Sequence, residues 1–338
     1  MNPYSGYPYQ WDYQAYWRNQ HIRYLRHSYS VQGWALLIYM GIMNAAVFLV
    51  MFLDAMAKTI HSMSEVGAVD EAWVEESMMR NSGWGYLLAI VVGFVILLLW
   101  KKPRFAFGII WQKKRPMKVG GFFQILSLFL STQMVFILLS VLVEFLLNQV
   151  GVTSVTESAL DYDSLSMFLY VGLGAPIAEE LLFRGLILRS MEPYGKKFAI
   201  FASALLFGLF HGNLSQGLFA FVVGLVLGYV TVEHNIGWAM ALHMFNNLIV
   251  SDVTTRLSQL FPGGIVDLML IGVLVLFTVA AIVILIVQRK KIRTYLKSNR
   301  DDPYCAKAFW SAPGIITLVC VLAATVAFSI VTALVPLT

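Results

Sequence analysis

Apolar runs of about twenty residues, separated by short polar stretches, set the rhythm of the chain. That length matches a helix crossing a hydrocarbon layer ~30 Å thick. The strict apolar–polar alternation of a membrane barrel is absent. The first three runs cover about 33–53, 83–100 and 122–147. The next three cover about 167–188, 198–210 and 216–232. The last three cover about 236–250, 265–287 and 313–335. The fifth is short for a full crossing. The pattern predicts an all-α, polytopic membrane protein of about nine transmembrane helices, or eight if the fifth run does not cross.

Local signals refine this outline. Gly172, Gly174 and Pro176 lie inside the fourth run. Proline lacks an N–H, so the span is expected in two pieces, with a fresh helix starting near Pro176. Broken helices are tolerated at membrane depth where they line a cavity. Gly217, Gly224 and Gly228 suit the sixth run to close helix packing. Residues 1–30 are polar, with Tyr4, Tyr7, Tyr9, Tyr13 and Tyr16 closely spaced. They are expected to form a poorly ordered cytoplasmic tail whose later part lies at the interface. Residues 31–150 then hold the N-terminal helices, 151–255 a core rich in unusual polar residues, and 256–338 the C-terminal helices.

Composition agrees: 59% of residues are hydrophobic and 13% charged, against about a quarter charged in soluble domains. The net charge of +5 does not point to nucleic acid. Its basic residues cluster beside spans: Lys101, Lys102, Arg104, Lys113, Lys114, Arg115 and Lys118; Arg189, Lys196 and Lys197; Arg289, Lys290, Lys291 and Arg293. Acids gather on the alternate loops, as Asp54, Glu65, Asp70, Glu71, Glu75 and Glu76, and as Glu157, Asp161 and Asp163. The positive-inside rule then places the N-terminus in the cytoplasm and the C-terminus outside; the expected location is the plasma membrane. Phe105, Phe107 and Trp111 interleave the basic loop 101–118, which is read as a topology determinant rather than a lipid-binding strip. The only cysteines, Cys305 and Cys320, give neither a metal spacing nor a disulfide framework.

Three charges interrupt the fourth run: Glu179, Glu180 and Arg184. Charge in hydrocarbon costs a few kcal/mol at least and tends to face a protein interior or an aqueous cavity. Glu180 and Arg184 are four apart and share a helical face, so they can pair. Glu179 is rotated by about 100° and lacks that partner. The alternatives are a structural ion pair with a spare acid, or one Glu held while the other does chemistry.

His211, His243 and Asn247 are further polar residues on apolar helices. At ~1.5 Å per residue, Glu179 lies about 15 Å along its helix from Arg189. By the same measure His211 lies about 21 Å from Lys197, and His243 about 15 Å from Glu233. The fourth, fifth and seventh runs thus bring these groups to similar heights. A lone histidine on an apolar helix is usually a packing residue; two at matched height with Glu179 and Asn247 favour a site. Glu144 and Asp267 lie near span ends, where snorkelling or capping accounts for them.

The three elements Glu179-Glu180-x-x-x-Arg184, Phe207-x-x-x-His211 and His243-x-x-x-Asn247 resemble the signature motifs of the CAAX prenyl protease and bacteriocin-processing (Abi) family of intramembrane glutamic endopeptidases. The resemblance covers roughly 166–250. It implies that Glu179 is the general base on a water also held by His211. It implies that His243 and Asn247 stabilise the oxyanion, with Glu180 and Arg184 supporting the site. A glutamate in a low-dielectric cavity holds a proton more readily than one in water, which suits it to accept one near neutral pH. The implied activity is hydrolysis of a membrane-associated peptide, near the cytoplasmic half of the bilayer. Substrates are prenylated peptides in some members and leader or signalling peptides in others.

Other readings come from different classes. Two histidines with one or two glutamates could hold zinc, but the helical His-Glu-x-x-His spacing is absent and no cofactor is expected. A bacteriocin-immunity or scaffold protein of the same fold would bind a partner without cleaving it. A transporter would also carry intramembrane charge and a broken helix, yet no inverted repeat is evident. The expected partners are a peptide or lipidated-peptide substrate and membrane lipids, with no nucleic acid.

Overall fold

Eleven helices and no strand occur among the described residues of the protein. The structure is a computed structural model and describes residues 13–65, 68–105, 108, 110–112, 114–149, 164–261 and 263–334. Tyr4, Tyr7, Tyr9, Phe107, Lys113, Glu157, Asp161 and Asp163 lie outside these ranges. The long helices are α1 (Tyr13–Glu65), α2 (Glu71–Phe105), α3 (Val119–Gln149), α4 (165–191), α5 (Lys196–Phe210) and α6 (Leu214–Glu233). They continue as α7 (236–260), α8 (Ile265–Val287), α9 (Arg289–Ser298), α10 (Cys305–Trp310) and α11 (Pro313–Leu334).

Each of the nine apolar runs is helical. Among the described residues, seven helices are long and apolar enough to cross a membrane: α1, α2, α3, α4, α6, α8 and α11. The protein is an integral, all-α membrane protein. The fifth and seventh runs, α5 and α7, fall outside those seven for different reasons. With 15 residues, α5 reaches only about 22 Å. The other, α7, is long enough, but His243, Asn246, Asn247, Ser251 and Asp252 dilute its apolar character.

The N-terminal stretch departs from expectation. Over the described part of 1–30, α1 runs unbroken for 53 residues from Tyr13. The reason lies at the far end of the sequence. Leu25 and Tyr29 are fully buried, and the Tyr29 ring lies 6.0 Å from that of Phe309 on α10. His21 Nε2 lies 2.5 Å from Asp302, and Ser30 Oγ accepts from the Gly314 N–H at 2.9 Å. The acidic stretch 54–80 is likewise mostly helix. Asn81 donates to Asp54 at 3.0 Å across the α1–α2 hairpin, and the Lys58 ammonium sits 4.3 Å from the Trp73 ring.

The predicted break at Pro176 does not occur. Instead α4 continues and widens into π-helical turns at Tyr170–Gly174 and Glu180–Leu188. Such turns insert an extra residue per turn and recur at functional sites. The Ala175 N–H donates to Tyr170 O, five residues back. In that register Val171 O would await residue 176, and proline has no N–H to give.

Glycines set the approach of α5 and α6. A Cβ on Gly208 would lie 2.6 Å from Gly217 O, and one on Gly217 would lie 2.9 Å from Gly208 O. Behind this pair, Phe183, Ile187 and Leu188 of α4 pack with Leu206 and Phe207 of α5 and with Phe309, Ile315 and Leu318. A second cluster joins α3, α6, α7 and α8 through Phe129, Leu227, Leu242 and Leu274.

One end of the bundle is tied by charge. Lys196 pairs with Glu233 at 3.1 Å, and the Tyr295 hydroxyl donates to the same carboxylate at 2.7 Å. Arg189 pairs with Glu192 at 2.7 Å, and Lys114 pairs with it too. Two backbone bonds, Lys114 N–H to His234 O at 3.1 Å and Arg115 N–H to Glu233 O at 3.3 Å, pin the basic loop to the α6–α7 turn.

Candidate active site

The polar residues of α4, α5 and α7 meet around one cavity of about 560 Å³. Glu179, His211, His243 and Asn247 all line it. Glu180 and Arg184 sit behind the wall and are fully buried. Glu144 and Asp267 are not among its lining residues; Asp267 instead accepts from Ser258 at 2.7 Å.

Neighbours on α4, the two glutamates point into different surroundings. Glu180 Oε1 faces Arg184 Nη1 at 2.9 Å, the expected i, i+4 pair. The guanidinium also donates to Gly224 O at 3.3 Å and stacks 4.3 Å from the Phe207 ring. A Cβ on Gly224 would lie 3.1 Å from Arg184 Nη2, so glycine makes room for the cation. Glu179 instead keeps about 20% of its side chain exposed, toward the cavity.

Both imidazoles are held in a defined tautomer. His211 Nδ1 lies 2.9 Å from Phe207 O. A carbonyl only accepts, so Nδ1 carries the proton and Nε2 is left bare. His243 Nδ1 lies 3.0 Å from Glu180 Oε1. That carboxylate, ion-paired with Arg184, also only accepts. In the neutral ring His243 Nε2 is therefore bare as well, and it faces Glu179 Oε2 at 3.7 Å.

Asn247 lies on a third π-helical segment, Asn246–Val253. Its Nδ2 donates at 2.8 Å to Val171 O, the carbonyl that the Pro176 register leaves open. Its Oδ1 accepts from Asn246 Nδ2 at 3.1 Å, and Asn246 Oδ1 accepts from Gln133 Nε2 at 2.6 Å. Gln133 and Asn246 also line the cavity and did not stand out in the sequence. The available signal was an amide inside an apolar run, the same signal that marked Asn247. Tyr39, Tyr86, Tyr170 and Phe210 add an aromatic wall to the same cavity, with Tyr86 and Tyr170 stacked at 4.4 Å.

Among the described residues, no group of three or more His, Cys, Asp or Glu is arranged to hold a metal ion. The two bare nitrogens and Glu179 give the cavity a set of proton acceptors. Asn247 retains one amide hydrogen beyond the one given to Val171.

Residues 161–249 match the family model described as type II CAAX prenyl endopeptidase Rce1-like. The match spans every motif residue from Glu179 to Asn247 and leaves out Gln133. No curated protein and no solved structure matches the chain.

Proposed function

We propose that this chain, a member of the CAAX prenyl protease family through its residues 161–249, hydrolyses a peptide bond inside the membrane with a water activated by Glu179 and His211. The observation that carries this is the convergence of Glu179, His211, His243 and Asn247 on one cavity, with Glu179 and His243 Nε2 3.7 Å apart. The polar wall suits a peptide backbone, and the aromatic wall suits the apolar body of a membrane-associated or lipidated peptide. The chain would work in the cell membrane with its N-terminus in the cytoplasm.

The chemistry follows from where protons can sit. Glu179 accepts a proton from water while His211 Nε2 holds the same water. The hydroxide adds to the carbonyl carbon, and the oxyanion takes the free N–H of Asn247. Neutral His243 has no proton on Nε2 and cannot donate there. The proton taken by Glu179 converts it to a donor by moving to Nε2, and Glu180 then balances the imidazolium from the other side. The C–N bond breaks as that proton passes to the departing nitrogen. One water is consumed, and one carboxylic acid and one amine form, which exchange a proton to become carboxylate and ammonium. His243 thereby serves as proton carrier as well as oxyanion partner.

The test is comparative peptidomics of membranes carrying the intact protein or Glu179→Ala, followed by cleavage of the responding peptide by the purified protein in liposomes. A peptide should persist in Glu179→Ala membranes and be cut by the intact protein alone. Identical peptide sets would set this reading aside in favour of a partner-binding role.

A further inference from the structure

We infer that Gln133 and Asn246 are positioning residues that hold the Asn247 amide in its donating orientation, through an amide chain whose direction is set by Pro176. The inference rests on the peptidase reading for its kinetic consequence but not for its geometry.

The direction follows from one fixed acceptor. Val171 O is a carbonyl and only accepts. It is open because Ala175 donates to Tyr170 O instead, and because residue 176 is a proline. The Asn247 atom 2.8 Å from it must therefore be Nδ2. Asn247 Oδ1 then points away and must receive a donor, which makes the Asn246 atom at 3.1 Å its Nδ2. Asn246 Oδ1 in turn faces Gln133 at 2.6 Å, so Gln133 donates through Nε2. Every link runs the same way, from α3 through α7 to α4. A donor at one end and a bare carbonyl at the other leave only one orientation for all three amides.

The arrangement matters because the Asn247 amide is ambivalent. Turned by half a rotation, it would present its oxygen to a developing oxyanion and repel it. Asn246 is 7% exposed, so water cannot readily take over its part. Gln133 lies on α3, outside the matched family segment. It therefore ties an otherwise unmarked span to the reaction.

Gln133→Glu is the decisive variant, because it keeps shape and reverses hydrogen-bond direction. A carboxylate accepts only, so Asn246 must turn its Nδ2 toward it. Asn247 must then turn too, setting its oxygen against Val171 O. Gln133→Met removes the donor without imposing the reversal.

Two readouts apply to the full chain in detergent or liposomes. The first needs no activity: side-chain amide resonances of asparagine-labelled protein. Gln133→Glu should shift the Asn246 and Asn247 signals, and Gln133→Met should shift chiefly Asn246. An unmoved Asn247 signal in folded Gln133→Glu overturns the inference. The second is cleavage of the peptide identified above. Gln133→Glu should lower kcat about tenfold, less than the ~100-fold loss typical of deleting an oxyanion donor, with KM within about twofold. Equal kcat in all three proteins overturns the inference, whereas an intact protein that cuts nothing counts against the peptidase reading and leaves the resonance test standing. Should Gln133→Glu not fold, Asn246→Leu cuts the chain at its middle link and should move the same Asn247 signal; a static signal there also overturns it.

Discussion

Glu180 holds His243 at 3.0 Å with the oxygen that also faces Arg184 at 2.9 Å. One buried atom therefore serves an ion pair and fixes an imidazole tautomer. Its partner oxygen Oε2, and Arg184 Nε, are buried without a hydrogen-bond partner among the described residues, so Gly224 O and the Phe207 ring alone would be left to compensate the cation if the carboxylate lost its charge. Glu180→Gln should destabilise the protein, by up to about 3–5 kcal/mol where a fully buried pair is broken. Glu180→Gln combined with Arg184→Gln should recover part of that. Thermal unfolding in detergent decides it, and an undiminished midpoint for Glu180→Gln would show that the pair is dispensable to the fold.

Glu179→Gln should behave in the opposite way. Its side chain faces the cavity, and glutamine preserves size while losing the ability to take a proton. The protein should fold, bind substrate and lose at least the ~100-fold typical of a removed general base. Near-normal cleavage by Glu179→Gln, with a stable and inactive Glu180→Gln, would exchange the roles of the two acids.

Chelation should leave cleavage unchanged. The set around the cavity accepts protons, and no metal-holding group occurs among the described residues. The check pairs elemental analysis of the purified protein with activity before and after chelator. Stoichiometric zinc, with activity lost on its removal and restored on addition, would reverse the assignment.

Gly208→Ala should cost about 1–3 kcal/mol, the usual penalty of overpacking. The added Cβ would lie 2.6 Å from Gly217 O, a backbone atom with no rotamer to escape into. Gly272→Ala, in a position open on all sides, is the matched control. Equal unfolding midpoints for the two variants would mean that α5 and α6 yield without loss.

The sequence carried the helices and the polar set because both are local signals. Apolar runs report burial in lipid residue by residue, and charge inside such runs reports a cavity. The i, i+4 spacing of Glu180 and Arg184 was enough to foresee their pair, and Gly217 and Gly224 sit where close approach requires them. What escaped was what depends on distant chain. Tyr13 to Ser30 are helical because α10 and the start of α11 pack against them, 275 or more residues later, as the 276-residue separation of Tyr29 from Cys305 illustrates. Pro176 was expected to break α4, and it widened the helix because Asn247 supplies the missing donor. Gln133 and Asn246 acquire meaning only once α3 and α7 are side by side.

The charge-tied end of the bundle has a mechanical consequence. Glu192 and Glu233 clamp the ends of α4, α5 and α6, and the basic loop clamps the α6–α7 turn. The cavity extends away from that clamp, toward Met167, Gln216 and Thr255. That far end is held as well: residues 211–213 join α5 to α6, Gly208 and Gly217 bring their backbones together, and Ser166 of α4 donates to Arg80 O of α2 at 2.6 Å. Helices held at both ends can bow but not splay. The 3.7 Å between Glu179 and His243 is therefore set by a closed frame rather than by a hinge.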